Sequence, residues 1–268
     1  MVRVQRGCRV FLGPFLLLAF SFLIYLLRYP LWYLFKSLEP IFGMLILSYV
    51  GILILALFLL KYDSKKSLSQ FFEVRNHSSI LIGIVFAFLY LGLWYLISFA
   101  IGSRFGFTSF LGFTGYEDYV VYSIPLAFAL QLTFSVFGAF AEEVTYRGYV
   151  QTRISSKYGF IAGIVVSALF FSLQHIHIFQ LSWIVKFFQT QFVHVLLFGI
   201  FVGYLYVKSK ENVKSKENVW SVFTFHALLN AFSVSVTIVV IAAFPFSNQI
   251  ADVLSYMILI LLLRFLFK

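Results

Sequence analysis

The feature that most constrains this chain is a succession of uncharged apolar blocks, each about as long as a bilayer is thick, separated by charged gaps. A helix needs about 20 predominantly apolar residues to cross the hydrocarbon core. Such blocks fall at residues 10–27, 41–60, 80–101, 123–143, 160–178, 187–207, 220–244 and 250–267. A soluble core could not absorb them, because 62% of the 268 residues are apolar and only 11% are charged. Too little polar surface is left to cover a globule. The expected fold is all-α: one polytopic transmembrane domain over residues 1–268, with about eight membrane-crossing helices.

The net charge of +10 would suit nucleic acid only if the basic residues gathered on one face. They sit instead in the gaps between apolar blocks, so no nucleic-acid partner is expected. With eight crossings both termini share one side of the membrane. That side collects Arg3, Arg6, Arg9, Lys61, Lys65, Lys66, Arg75, Arg147, Arg153, Lys157, Lys208, Lys210, Lys214, Lys216, Arg264 and Lys268. Only Arg28, Lys36, Arg104 and Lys186 fall opposite, so the bias towards positive loops inside puts the termini in the cytoplasm. A single cysteine, Cys8, excludes an intramolecular disulfide and any multi-cysteine metal site. The basic start followed by an apolar run imitates a signal peptide, but the run is long and lacks a small-x-small cleavage site, which reads as an uncleaved first span. The hexapeptide Lys-Ser-Lys-Glu-Asn-Val, at 208–213 and again at 214–219, reads as a lengthened, solvated cytoplasmic loop.

An ionisable group at bilayer depth is costly and is by default a candidate for function. The fourth block ends in Glu142-Glu143-Val144-Thr145-Tyr146-Arg147. On a helix Glu143 and Arg147 are four apart and can pair, acid before base. Glu142 points about 100° away, free of that partner, and Ser135 and Gln131 extend a polar stripe behind it. The fifth block carries Phe171 and His175 on one face, with His177 pointing the other way. If the fourth helix runs on to a tight turn near residues 156–159, Glu142 and His175 are equidistant from that turn and lie level across the hairpin. The seventh block places His226 and Asn230 four apart on one face. His194 reads as a packed or hydrogen-bonded histidine, and Asp252 as reaching the outer interface. Together, Glu142 and His175 could polarise a water molecule, while His226 and Asn230 offer donors to a developing oxyanion. The set reads as water-mediated amide hydrolysis.

These three segments, Glu142-Glu143-x-x-x-Arg147, Phe171-x-x-x-His175 and His226-x-x-x-Asn230, in this order, resemble the type II CAAX prenyl endopeptidases and, more broadly, the CPBP (abortive-infection) intramembrane proteases of which a prokaryotic or archaeal homologue would be one. The resemblance covers about residues 123–240, the expected protease core. It implies Glu142 as general base, His175 as its partner in activating water, and His226 with Asn230 as the oxyanion hole. Glu143, Arg147 and Phe171 would support them. The implied substrate is an isoprenylated CAAX protein cut after its lipidated cysteine, reached from the cytoplasmic face of a membrane that would be the cell membrane in a prokaryote, with membrane lipid as the other partner. The group is also labelled metalloprotease, and zinc on Glu142, His175 and His226 is the alternative to a metal-free mechanism. No H-E-x-x-H is present, and Asn230 suits an oxyanion donor better than a zinc ligand, so no cofactor is favoured. Two other function classes remain open: a non-catalytic immunity or scaffold protein of this fold, and a proton-coupled transporter. The latter tends to show inverted repeats and matching broken helices, and neither is found in this sequence.

Overall fold

A computed structural model of the protein describes residues 2–34, 46–62, 77–107, 124–176, 181–213, 219–235, 238–241 and 247–267. The chain is helical in the order α1 (Val2–Leu34), α2 (Gly51–Tyr62), α3 (Ser78–Ala100), α4 (Ile124–Glu143), a π-helical stretch (Val144–Gln151), α5 (Thr152–Tyr158), α6 (Phe160–Gln174), α7 (Leu181–Thr190), α8 (Phe192–Val213), α9 (Trp220–Ser235) and α10 (Ser247–Leu266). Among the described residues, four stretches, Val10–Arg28, Ser78–Ala100, Phe192–Ser209 and Ser247–Leu266, are long and apolar enough to cross a membrane, and the apolar helices Ile46–Tyr62 and Phe160–Gln174 are shorter. This is an all-α polytopic membrane protein. His177, Lys36, Lys65, Lys66, Arg75, Lys214, Lys216 and Lys268 lie outside the described residues.

Two boundaries differ from the sequence expectation. The sixth block was expected to be one helix from residue 187, but the chain breaks at Gln191 between α7 and α8. On α7, Leu181, Val185 and Phe188 share one exposed apolar stripe, Phe187 is buried, and Ser182, Lys186 and Gln189 lie on the remaining, polar sector. That division suits a helix lying in an interface rather than one crossing it. The seventh block was expected to stay helical to residue 244. Instead α9 stops at Ser235, and β1 (Arg104–Phe107) pairs antiparallel with β2 (Ile238–Ile241), Arg104 opposite Ile241 and Phe107 opposite Ile238. A run of Ile and Val is as good a strand as a membrane helix, and apolarity alone does not separate the two. Along α3, Gly83 meets Ser221 and Thr224 and Phe88 meets Phe232, so α3 and α9 run in the same direction.

The site sits where α4, α6, α8 and α9 meet. The chain from α4 through the π-helical stretch to α5 is continuous and turns at Gly159, whose φ of 86° favours glycine. α6 then returns antiparallel. Against α6 lies α8, with Gly199 and Gly203 four apart on one face, a small-x-x-x-small pattern that lets helix backbones approach. A Cβ on Gly199 would stand 2.9 Å from that of Ala168. On the other side Gly83 of α3 brings α9 close, since a Cβ there would stand 2.8 Å from Thr224 Cβ. These contacts leave little freedom to the helices that carry the polar groups.

Candidate active site

Glu143 and Arg147 are fully buried, at 0% exposure. Two bare charges could not stay there, and each is met. Arg147 Nε stands 3.2 Å from Glu143 Oε2, as the four-residue spacing predicts. These atoms pair in charge but lie off the line of a hydrogen bond, as neither forms one. Arg147 Nη2 donates to the Gly199 carbonyl of α8 at 3.3 Å, and the guanidinium lies over the Phe171 ring, 4.7 Å from its centroid. Glu143 Oε1 in turn meets His226 Nδ1 at 2.8 Å. One ion pair therefore ties α6, α8 and α9 to the end of α4.

Glu142 is differently placed. Its side chain keeps 12% exposure, and its Oε2 is 3.7 Å from His226 Nε2. Its Oε1 accepts a hydrogen bond from Gln174 Nε2 at 3.1 Å. Among the described residues no lysine or arginine pairs with it. The sequence reading of one paired carboxylate and one available carboxylate is thus seen in the geometry. Both ring nitrogens of His226 face carboxylates. The nearer, Nδ1, carries a hydrogen towards Glu143, which leaves Nε2 as the nitrogen turned to Glu142 and the open site.

His175 caps α6. Its Nδ1 donates to the Phe171 carbonyl at 2.8 Å, a bond that requires the hydrogen on Nδ1 and leaves Nε2 as acceptor. His175 is half-buried and makes no hydrogen bond to Glu142. The residue that reaches Glu142 across the hairpin is its neighbour Gln174. Phe171 is the hub of the site: its ring lies 4.7 Å from His175, 5.4 Å from Tyr146, 5.7 Å from Phe198 and 6.1 Å from His226, centroid to centroid. Asn230 lies one turn beyond His226 on α9 and is half-buried. Ser135 is buried on α4.

A zinc site on Glu142, His175 and His226 does not fit this arrangement. Among the described residues no group of three or more His, Cys, Asp or Glu side chains is arranged to hold a metal ion. His175 and His226 each commit Nδ1, to the Phe171 carbonyl and to Glu143, so Nε2 is the nitrogen that either ring would turn to an ion.

Sequence reasoning missed Gln174 and Tyr146. Tyr146 Oη donates to Gln174 Oε1 at 2.6 Å; the signal for both was a long polar side chain in an apolar block. It also missed a second cluster. Asp252 was expected at the outer interface, but it is buried, accepting from Tyr90 Oη at 2.7 Å and facing His194 Nδ1 at 2.9 Å. Tyr256 stacks on Tyr90 at 4.8 Å, and Phe198 stands between Tyr256 and His226, 6.5 Å from one and 4.7 Å from the other. His194, expected as a packed or hydrogen-bonded histidine, is half-buried with its ring 6.1 Å from that of Tyr256.

Beside the site, Leu132, Thr133, Val136, Phe137 and Phe140 of α4 and Trp220 and Phe223 of α9 line a mainly apolar cavity of about 480 Å³ that is widely open to the surface. Val136 and Leu132 are exposed at its mouth. Phe140 is two residues from Glu142, and Phe223 one turn from His226.

Residues 124–232 match the Rce1-like family, described as type II CAAX prenyl endopeptidase Rce1-like. No curated protein matches the chain.

Proposed function

We propose that this chain, whose residues 124–232 form an Rce1-like type II CAAX prenyl endopeptidase domain, is an intramembrane endopeptidase that cuts an isoprenylated CAAX-type protein near its C-terminus. The observation that carries the reading is the unequal treatment of two adjacent acids. Glu143 is paired with a buried arginine, while Glu142 has no such partner, one oxygen turned to the open site and an imidazole at 3.7 Å. The buried ion pair accounts for the first acid and leaves the second available for chemistry.

Glu142 Oε2 takes a proton from water as its oxygen adds to the scissile carbonyl carbon, and His175 Nε2 orients that water. The carbonyl π electrons move onto oxygen, where His226 Nε2 and the Asn230 amide donate to the oxyanion. Collapse re-forms the carbonyl and breaks the C–N bond, and the departing amine takes the proton held by Glu142. For His226 to donate through Nε2 the ring must carry hydrogen on both nitrogens. In that state Glu142, Glu143, Arg147 and His226 sum to zero net charge, which suits an apolar enclosure. The apolar cavity beside the site suits an isoprenyl chain, whose burial is worth ~0.8 kcal/mol per CH2. The positive-inside bias puts both termini and the site's opening on the cytoplasmic side of an eight-span chain.

The test is release of a tripeptide from a farnesylated CAAX peptide by purified protein, with and without a chelator. Cleavage that survives the chelator and is lost in Glu142→Gln and His175→Ala supports the mechanism. Equal rates for wild type and both variants refute it. A second reading, a proton-coupled transporter, is favoured by one observation, the Tyr90–Asp252–His194 cluster. Proton flux in liposomes that needs Asp252 and no peptide would establish it.

A further inference from the structure

Glu142 offers two oxygens to the reaction space, and a base that could swing freely would present either one. The structure holds it by a single neutral donor. Gln174, the last residue of α6 and itself buried, places Nε2 3.1 Å from Glu142 Oε1, and Tyr146 Oη lies 2.6 Å from Gln174 Oε1. Tyr146 is four residues after Glu142 on the same rod. It is 1% exposed, its ring packs edge-on against Phe171, and its carbonyl accepts from Ser167 Oγ at 2.7 Å. The phenol therefore has almost no freedom of its own.

The chemistry of these groups fixes which end of the amide faces which neighbour. A carboxylate only accepts, so an amide turned the other way would set its oxygen against Glu142 Oε1, two acceptors 3.1 Å apart. In the orientation seen, the phenol donates to the amide oxygen and the amide nitrogen donates to the carboxylate. Each bond polarises the next in the same direction. The donor at Glu142 is also uncharged, so the carboxylate is held without being neutralised, unlike Glu143 beside Arg147.

We infer that Gln174, oriented by Tyr146, is a positioning residue for Glu142: it takes up Oε1 and leaves Oε2, on the His226 side, as the oxygen that accepts the proton from water. This rests on the proposed hydrolase reading for its consequence in catalysis, though the hydrogen bond itself can be tested without a substrate.

The experiment measures the full-length protein in detergent, with Gln174→Leu, Tyr146→Phe and the double variant, each checked for folding by thermal melting. With a farnesylated CAAX peptide, Gln174→Leu is expected to lower kcat roughly ten- to a hundredfold, the worth of a hydrogen bond to a charged group. KM should stay within about twofold, since no contact to the substrate is removed. Tyr146→Phe keeps the ring and its packing, and serves if Gln174→Leu does not fold; it should lower kcat several-fold. The double variant should be no slower than Gln174→Leu, because a phenol has nothing to orient once the amide is gone. A merely structural role predicts multiplied losses or a rise in KM, and either result overturns the assignment, as does a kcat for Gln174→Leu equal to wild type. Separately, the infrared carboxylate stretch of 13C-glutamate-labelled protein, assigned to Glu142 by subtracting the Glu142→Gln spectrum, should move in Gln174→Leu. An unmoved band refutes the positioning whatever the peptide assay gives. A moved band without cleavage by wild type keeps the hydrogen bond and overturns the hydrolase reading instead.

Discussion

Replacing Arg147 by methionine removes a charge from a fully buried position while keeping an unbranched side chain. At 3.2 Å from Glu143, a unit charge pair attracts by ~5 kcal/mol at an effective dielectric of about 20. Taking both ions out of water opposes most of that in the wild type. The variant loses the attraction and keeps one of the costs, because Glu143 stays at 0% exposure with only His226 Nδ1 to satisfy it. Breaking a buried pair in this way costs about 3–5 kcal/mol. A lone interhelical hydrogen bond between membrane helices averages only about 0.6 kcal/mol, so the two descriptions of Arg147 are separable. The assay is reversible unfolding in mixed detergent–SDS micelles, followed by circular dichroism. Glu143→Gln combined with Arg147→Met should recover a good part of the loss, since the neutral amide oxygen still accepts from His226 and no ion is stranded. Stability of Arg147→Met within about 1 kcal/mol of wild type would mean that this arginine reaches water or headgroups, and would refute the enclosed site.

Three further outcomes follow from the packing. Gly199→Ala sets a Cβ 2.9 Å from Ala168 Cβ and 3.0 Å from its Cα; the helices must part, at a cost of about 1–3 kcal/mol in the same micelle assay. Gly159→Ala asks an L-residue to adopt φ 86° and ψ 163°, which costs about 1–3 kcal/mol with open space around it, and a neutral result would mean that the turn rearranges. Asp252→Ala leaves the Tyr90 hydroxyl without its acceptor and His194 without the carboxylate it faces; a loss of about 1–3 kcal/mol is expected, with peptide cleavage falling less than in Glu142→Gln if the cluster serves structure.

Four polar positions of the candidate site were legible because membrane helices are intolerant of idle polarity. Glu142, Glu143, Arg147 and His226 stood out against their blocks, and the spacing that pairs Glu143 with Arg147 is local, within one turn. What escaped was set by neighbours far away in sequence. Equal distance from the turn put Glu142 level with His175, but the rod between Glu142 and the turn contains the π-helical stretch Val144–Gln151, which an α-helical count does not register. His175 also spends its Nδ1 on the Phe171 carbonyl at the end of α6. The partner that reaches Glu142 is consequently Gln174. Asp252 was placed at the interface because an acid near a helix end usually reaches water; Tyr90, 162 residues away, supplies the donor that lets it stay buried. The ribbon of Arg104–Phe107 with Ile238–Ile241 was hidden for a related reason, since apolar β-branched residues suit strand and membrane helix alike.

The most direct test of the central claim, that Glu142 delivers water to a peptide bond, is isotopic. A farnesylated CAAX peptide is incubated with the protein in water enriched in 18O, and the cleaved products are weighed by mass spectrometry. The new carboxylate on the lipidated cysteine should carry one 18O atom with wild-type protein, while Glu142→Gln should yield no product above background. Cleavage without label, or labelled product formed equally well by Glu142→Gln, would contradict the account.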